Sequence, residues 1–423
     1  MATLNRILAW RPGGYARDGA RIFGWLLLRA AAQALTVLLL ARWLGASGYG
    51  EFVAALAVAS FFTPLAGLGL GAVLLMRGAR APEHLPALSA QATRLWAISA
   101  LGFTLVAAAA LYWALPTPPP LWALAALALA EVAAASWVEL VARRMQARHQ
   151  ANRFGAIQAG LPLARLVALA IGMALLPASP ASWMLAYAAA SFASAALIAA
   201  HVLRDPAPAP GSDPNLPWAT LVRDGAPFTV GAVALRLQAE FNKPVLAHLD
   251  YAQAGALGVA QRVVDLGLLP LTALQEALWP RVYAADRPAA RLWRTGAVLM
   301  ALALLAGLAL AAAAPLLPWL LGAEFADAAS ALVSLAGLPA LQLMRNLGNA
   351  ALIASGNSQH LNGVYLVAAA AGVLLALWLV PTQGLPGAVW AIYGSEGAAL
   401  MIQGAIGAGS WFFCHHDRAA RKT

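Results

Sequence analysis

The chain has only one cysteine, Cys414, among its 423 residues. A single thiol cannot form an intramolecular disulfide or a cysteine-based metal site, so the sequence excludes both. We interpret the neighbouring His415, His416 and Asp417 as part of a solvated tail, and we expect no metal or other cofactor.

Charged residues are also scarce. They make up 10% of the chain, whereas hydrophobic residues make up 62%. A soluble domain carries about 25% charged residues, so this composition favours a membrane protein. The sequence has no G-x-x-x-x-G-K-[ST], G-x-S-x-G or H-E-x-x-H motif. Nothing in it therefore indicates ATP hydrolysis, a serine hydrolase or a zinc protease, and we do not expect an enzyme.

Twelve apolar stretches fill most of the chain, and each is close to the roughly 20 residues that a spanning helix needs. The predicted spans are 21–44, 51–75, 94–115, 121–142, 155–177, 181–203, 224–248, 254–280, 293–314, 327–350, 361–380 and 385–413. They predict an all-α polytopic membrane protein. The first span is too long for a signal-peptide core, so we expect it to be helix one.

Most of the 27 Lys and Arg residues fall at the termini or in every second connection between spans. Arg77, Arg80, Arg143 and Arg148 are examples, and Lys243 is assigned to one of the other connections. The positive-inside rule then places both termini in the cytoplasm. Topology explains the net charge of +10, so no nucleic-acid partner is needed.

A Pro-rich polar segment divides the chain into two halves of six spans. It covers residues 204–223, RDPAPAPGSDPNLPWATLVR, and we interpret it as a cytoplasmic linker. The predicted units are a cytoplasmic interfacial segment (1–20), a six-helix bundle (21–203), the linker, a second six-helix bundle (224–413) and a cytoplasmic tail (414–423).

The two halves resemble each other at a nearly constant offset. Arg29 matches Arg236, Gly50 matches Gly255, and Pro64 matches Pro270, each pair lying 205 to 207 positions apart. Because each half has an even number of spans, the repeats would be parallel, a known transporter design with substrate between the halves. Pro64 and Pro270 are candidate hinges, since proline permits a spanning helix to bend.

Ionisable side chains occur inside the predicted spans, where each costs about 2.5–3.5 kcal/mol and usually faces a cavity or a partner. They are Arg29, Glu131, Glu139, Arg165, Arg236, Glu240, Arg262, Asp265 and Glu396. Most lie near mid-bilayer, whereas Glu139 lies near an edge and is expected to reach the headgroups.

These charges have more than one interpretation. Arg236 with Glu240, and Arg262 with Asp265, have the spacing of ion pairs within one helix. Arg29 and Arg165 have no carboxylate one turn away, so they need either Glu131 or Glu396 from another helix or an anionic substrate. Because arginine binds phosphate through two parallel donors, Arg29, Arg236 and Arg165 are candidate ligands of an anionic headgroup. Glu240 and Asp265 are alternatively candidates for binding H⁺ or Na⁺.

Several segments resemble the polysaccharide-biosynthesis flippases, which export O-antigen and capsule repeat units. The segments are ARWLGASGYGEFVAALAVASFFTPLAGLGLG, GALGVAQRVVDLGLLPLTALQEALWPRV, LGNAALIASGNSQHLNGVYLV and LPGAVWAIYGSEGAAL. Glu240 stands where many members carry Asp, and Leu257 where an aromatic residue is common. The related lipid II flippases usually have fourteen spans, which argues against that branch.

The resemblance implies a V-shaped, MATE-like transporter of two six-helix bundles in the bacterial inner membrane. It implies alternating-access export of a polyprenyl-pyrophosphate-linked oligosaccharide, with the arginines meeting the pyrophosphate. Membrane lipids and the glycan polymerase of the same pathway are the implied partners. The alternatives are a cation-coupled multidrug antiporter of the same fold and a membrane-embedded glycan polymerase or ligase. An antiporter favours an acidic cavity, and a polymerase would need a long periplasmic loop.

Overall fold

The structure, a computed structural model, describes residues 14–202, 216–283 and 288–420, and side chains for 21–201, 216–275, 278 and 294–407. These residues form helices joined by short turns, and no strand occurs among them. The helices are α1 Gly14–Gly67, α2 Leu70–Arg80, α3 Leu85–Ala114, α4 Leu121–Ala128, α5 Ala135–Ala147, α6 Ala151–Leu175, α7 Pro180–Val202, α8 Trp218–Glu240, α9 Asn242–Ala247, α10 Tyr251–Gly267, α11 Leu269–Tyr283, α12 Pro288–Ala313, α13 Leu316–Leu321, α14 Ala326–Ser334, α15 Leu338–Ala354, α16 Leu361–Gln383 and α17 Leu385–Ala420.

Eight helical stretches in the described residues are long and apolar enough to cross a membrane, or nine if a bent pair counts as one span. The protein is therefore a multi-pass membrane protein. The first stretch, Arg21–Arg80, has 60 residues. At 1.5 Å per residue it would extend about 90 Å, roughly three times a bilayer core. Helices α8 and α17 are not among the eight, so twelve spans in two bundles remain a prediction.

Left-handed backbone conformations break the first long stretch. Gly45 has φ 71° and kinks α1, and Leu68 and Gly69, with φ 46° and 64°, separate α1 from α2. A left-handed residue cannot continue a right-handed helix, so the chain changes direction at these points. The kink at Gly45 falls between the first two predicted spans.

Close backbone contacts join the two halves of the chain. A Cβ atom on Gly50 would lie 1.7 Å from the carbonyl oxygen of Tyr251, and one on Gly255 would lie 2.5 Å from that of Ala46. Each would also crowd the other glycine, at 2.8 Å and 3.1 Å from its backbone nitrogen. Gly50 and Gly255 are the equivalent positions of the predicted repeat. Their reciprocal contact is what a pseudo-two-fold axis between the halves produces.

A second contact between the halves lies at the start of α2. A Cβ atom on Gly69 would lie 2.1 Å from the carbonyl oxygen of Gly225, so only glycine permits this approach. Nearby, Arg77 donates to the carboxylate of Asp224. Helices α1 and α2 thus meet α8, α9 and α10 along much of their length.

Three of the predicted segments, the linker, the N-terminal interfacial segment and the C-terminal tail, lie only partly within the described residues. Helix α8 begins at Trp218, inside the predicted linker 204–223, because Pro217 precedes its first turn. The linker residues 204–215 lie outside the described residues, as do 1–13 of the predicted interfacial segment. Helix α17 continues to Ala420, past the predicted start of the tail at 414.

Candidate functional site

A cavity of about 1110 Å³ lies between the two halves of the chain. The first half contributes residues of α1, α2, α5, α6 and α7, and the second half contributes residues of α8, α9, α10, α15 and α17. The lining includes seven cations, Arg29, Arg143, Arg165, Arg236, Lys243, Arg262 and Arg345, and five carboxylates, Glu131, Glu139, Glu240, Asp265 and Glu396. The ionisable residues predicted inside the spans are therefore brought together around one hollow.

Arg165 is held by a network within the first half. Its Nη2 donates to Glu131 Oε2 at 3.1 Å and its Nε donates to Ser191 Oγ at 3.0 Å. The Tyr187 hydroxyl donates to the same Glu131 oxygen at 2.5 Å, and the Arg165 guanidinium lies 3.8 Å from the centroid of the Tyr187 ring. Of the alternatives that the sequence left open for Arg165, the structure shows Glu131 as its partner. The neutralised guanidinium argues against Arg165 as a phosphate ligand.

Glu131 lies in a π-helical segment, Leu129–Ala134, between α4 and α5. Such wide turns shift the side chains that follow relative to the regular helical face, and they frequently occur at functional sites. The backbone carbonyl of Glu131 also accepts a hydrogen bond from Thr63 Oγ1 at 3.0 Å. The segment therefore positions Glu131 against Arg165 and Tyr187 while remaining tied to α1.

In the second half, two further cations have carboxylate partners. Lys243 donates to Glu240, and Arg345 Nε lies 3.3 Å from Glu396 Oε2. Gln238 links to the second pair, since it accepts from Arg345 Nη1 at 3.1 Å and donates to Glu396 Oε1 at 3.3 Å. Glu396 is 3% exposed, and the neighbouring Arg345 guanidinium offsets the cost of burying its negative charge.

Two sequence predictions about these residues are wrong. The partner of Glu240 is Lys243, three residues later in the chain, and not Arg236. Lys243 is buried in α9 and lines the cavity, so it does not belong to a connection between spans.

Three arginines in the cavity have no carboxylate partner within the described residues. Arg236 and Arg262 make neither a hydrogen bond nor an ion pair there, and Asp265 likewise makes neither, so the predicted Arg262–Asp265 pair is wrong. Arg29 Nη1 donates to the neutral Gln158 Oε1 at 2.8 Å. The charge of Glu139 acts on Arg29 from within the first half, and those of Arg262 and Arg236 act on it from the second half. The cavity lining thus has more positive than negative charges, and both halves of the chain contribute arginines without a carboxylate partner.

Glu139 makes its contacts inside the cavity. Its side chain faces the cavity, where it accepts from Gln158 Nε2 at 2.7 Å and from Arg143 Nε at 2.6 Å. The expectation that it reaches the headgroups stays a prediction. Gln158, Gln238 and Arg345 were not predicted as cavity residues. A polar side chain inside an apolar span, as in AIQAGLPLA around Gln158, was the signal that could have identified the first of them.

Both predicted hinges adjoin a break in a helix. Pro64 lies four residues before the left-handed Leu68. Pro270 is the second residue of α11, and the axes of α10 and α11 differ by 42°. A proline removes a backbone donor next to each break, so bending there disrupts few hydrogen bonds. Hinge motion at these sites remains a prediction.

Comparison with known proteins identifies a family and a fold. Residues 17–281 match the family described as "Polysaccharide biosynthesis protein". A search of the curated proteins finds no match.

Solved structures similar to this chain include transporters. One is the inward-facing conformation of a multidrug resistance MATE family transporter of the MOP superfamily, with TM-score 0.69 and 18% identity, covering 91% of this chain and 97% of that chain. Another is the lipid II flippase MurJ in an inward closed conformation, with TM-score 0.71 and 11% identity, covering 90% and 86%. A MOP superfamily transporter from Pyrococcus furiosus Vc1 has TM-score 0.58 and 17% identity, covering 91% and 94%. At these identities the likeness shows a shared fold.

Proposed function

This chain belongs to the polysaccharide biosynthesis protein family, and we propose that it moves a polyprenyl-pyrophosphate-linked oligosaccharide across the bacterial inner membrane by alternating access. The observation that carries the proposal is the group of three arginines, Arg29, Arg236 and Arg262, without carboxylate partners in a cavity between the two halves. Both termini are cytoplasmic in this proposal, and the glycan would serve O-antigen, capsule or exopolysaccharide synthesis.

The arrangement suits a pyrophosphate for two reasons. A guanidinium donates two parallel hydrogen bonds to phosphate oxygens, and each charge-assisted bond contributes about 1.5–3 kcal/mol. Arg29 comes from the first half, whereas Arg236 and Arg262 come from the second half. A ligand with several negative charges would offset the repulsion among these three arginines. It would also bind residues of both halves at once. Arg165 is left out of this ligand set, because Glu131 already neutralises it.

A cation-coupled multidrug antiporter of the same fold is the second candidate. The observation in its favour is Asp265, a cavity carboxylate with no hydrogen-bond or ion-pair partner in the described residues. The three unpaired arginines oppose it, because their summed charge disfavours an organic cation in the same cavity. The pyrophosphate-linked substrate is therefore the better fit to the charge of the cavity.

The proposal is tested by replacing Arg29 and Arg236 singly with Ala and with Lys. The alanine variants are expected to reduce surface glycan and to accumulate the lipid-linked unit on the cytoplasmic side. Loss of one charge-assisted bond weakens binding about ten-fold or more. The lysine variants retain charge but not the planar donor pair, so an intermediate effect is expected. Arg42→Ala is the matched control, since Arg42 lies on α1 but is exposed and does not line the cavity. Normal export in all four variants at unchanged protein levels would refute the proposal.

A further inference from the structure

A neutral amide separates Arg29 from the carboxylate of Glu139. Arg29 Nη1 donates to Gln158 Oε1 at 2.8 Å, and Gln158 Nε2 donates to Glu139 Oε2 at 2.7 Å. The other Glu139 oxygen accepts from Arg143 Nε at 2.6 Å, so Arg143 offsets the Glu139 charge. The relay runs from α5 through α6 to α1, and all four residues line the cavity.

The two neighbours of Gln158 fix the orientation of its amide. A guanidinium can only donate hydrogen bonds, and an ionised carboxylate can only accept them. Gln158 satisfies both neighbours only if its oxygen faces Arg29 and its nitrogen faces Glu139. Rotating the amide by 180° would break both bonds. The Glu139 carboxylate thus positions Gln158, and Gln158 positions Arg29.

The contact of Arg29 differs in one respect from those of the cavity cations that have a carboxylate partner. Arg165, Lys243 and Arg345 each meet a carboxylate directly, and that carboxylate offsets their charge. Arg29 meets an amide, which fixes its place but adds no negative charge. Within the described residues only one of its donors is used. The remaining donors of the guanidinium are available to a phosphate.

We propose that Gln158 is a positioning residue, which holds the Arg29 guanidinium in the cavity without neutralising it and so preserves its charge for the phosphate groups of the substrate. This inference rests on the proposed function. Gln158 itself does not contact the phosphate. Its amide orients the Arg29 guanidinium. Because the amide is neutral, whereas a carboxylate at this position would be negative, the positive charge of Arg29 remains available in the cavity.

The test compares Gln158→Glu with Gln158→Ala in purified protein reconstituted in phosphatidylcholine nanodiscs. The probe is geranyl pyrophosphate, and its dissociation constant is measured by isothermal titration calorimetry. Gln158→Glu places a carboxylate on Arg29 and is expected to weaken binding about ten-fold or more, the loss of one charge-assisted bond. Gln158→Ala leaves Arg29 charged but removes the hydrogen bond that holds it, so a smaller loss of roughly two- to five-fold is expected.

Two controls separate positioning from other effects. Gln342→Glu adds the same charge to the cavity from α15 in the other half, and its effect is expected to be less than about three-fold because the charge does not contact Arg29. In an Arg29→Ala background, Gln158→Glu is expected to have little additional effect, since the group that it neutralises is gone. A merely structural role for Gln158 would lower the unfolding temperature of both variants and would not produce this dependence on Arg29.

The outcomes distinguish the inference from the proposed function. If the wild-type protein binds the probe and Arg29→Ala weakens that binding, but Gln158→Glu binds as tightly as wild type, the inference is wrong and the proposed function stands. An equal loss from Gln158→Glu and Gln342→Glu would also overturn the inference, since only the total charge would then matter. If neither Arg29→Ala nor Arg236→Ala changes binding, the proposed function itself fails.

Discussion

Replacing Gly50 with alanine is expected to open the contact between α1 and α10. The added Cβ atom would lie 1.7 Å from the Tyr251 carbonyl oxygen, whereas ordinary van der Waals contact begins at 3.4 Å. The two helices must therefore separate by about 1.7 Å, the difference between these values. Gly50 does not have a positive φ, so its backbone accepts alanine and the effect of the substitution is steric.

The size of the effect follows from the cost of overpacking. Forcing an extra methyl group into a tight contact costs about 1–3 kcal/mol. A conformation in which the halves are separated at Gly50 does not have this steric overlap and is therefore not destabilised by the substitution. The equilibrium ratio of the conformation in which α1 and α10 are separated to the conformation in which they are in contact should then rise by roughly 5- to 150-fold.

Cysteine labelling measures this change. Cys414 is the single cysteine, so Cys414→Ser provides a cysteine-free background into which Gln342→Cys introduces one reporter in the cavity. The positive-inside prediction places Gly50 at the periplasmic side, so an impermeant maleimide added outside intact cells should label the reporter faster in Gly50→Ala. Gly102→Ala is the matched control, because a Cβ atom there meets no atom within 4 Å. Equal labelling of Gly50→Ala, Gly102→Ala and the parent would refute the reasoning.

Two further predictions concern ion pairs. Glu131→Gln leaves the Arg165 guanidinium, which is 14% exposed, without its counter-charge. The variant is expected to destabilise the protein by up to about 3–5 kcal/mol, the cost of breaking a buried pair, measured by thermal unfolding in detergent. The double variant Glu131→Gln with Arg165→Met should regain much of that loss, and unchanged stability of Glu131→Gln would contradict the prediction. Arg77→Ala and Asp224→Ala remove the same partly exposed pair between the halves, so each should cost less than about 1 kcal/mol. A double variant whose loss equals the sum of the single losses would show that the two side chains are not coupled.

The helical class and the membrane environment were predictable because they depend on local properties of the chain. A run of about 20 apolar residues specifies a spanning helix wherever it packs. Gly50 and Gly255 occur at equivalent positions of the predicted repeat. Their direct contact shows why both are glycine, but that contact involves backbones about 200 residues apart and is invisible in either segment alone.

The site was predictable in part. Arg29 and Arg236 do line the cavity, and Arg165 does pair with Glu131, because an ionisable group inside a span must face a partner or a hollow. The pairing of Glu240 was not predictable from spacing. Arg236 lies four residues before Glu240 and Lys243 lies three residues after it, so both spacings suit an ion pair, and the structure shows that Lys243 makes it.

The sequence by itself determined that this chain crosses a membrane and that several charges are buried in it, since both follow from the cost of placing each residue type in lipid. The tertiary structure decided which of those charges remain unpaired. Arg165 lies 3.1 Å from a carboxylate oxygen, whereas Arg29 lies 2.8 Å from an amide oxygen. Hydrogen bonds act over about 3 Å, and only packing the helices together brings these residues, 34 and 129 positions apart, within that distance.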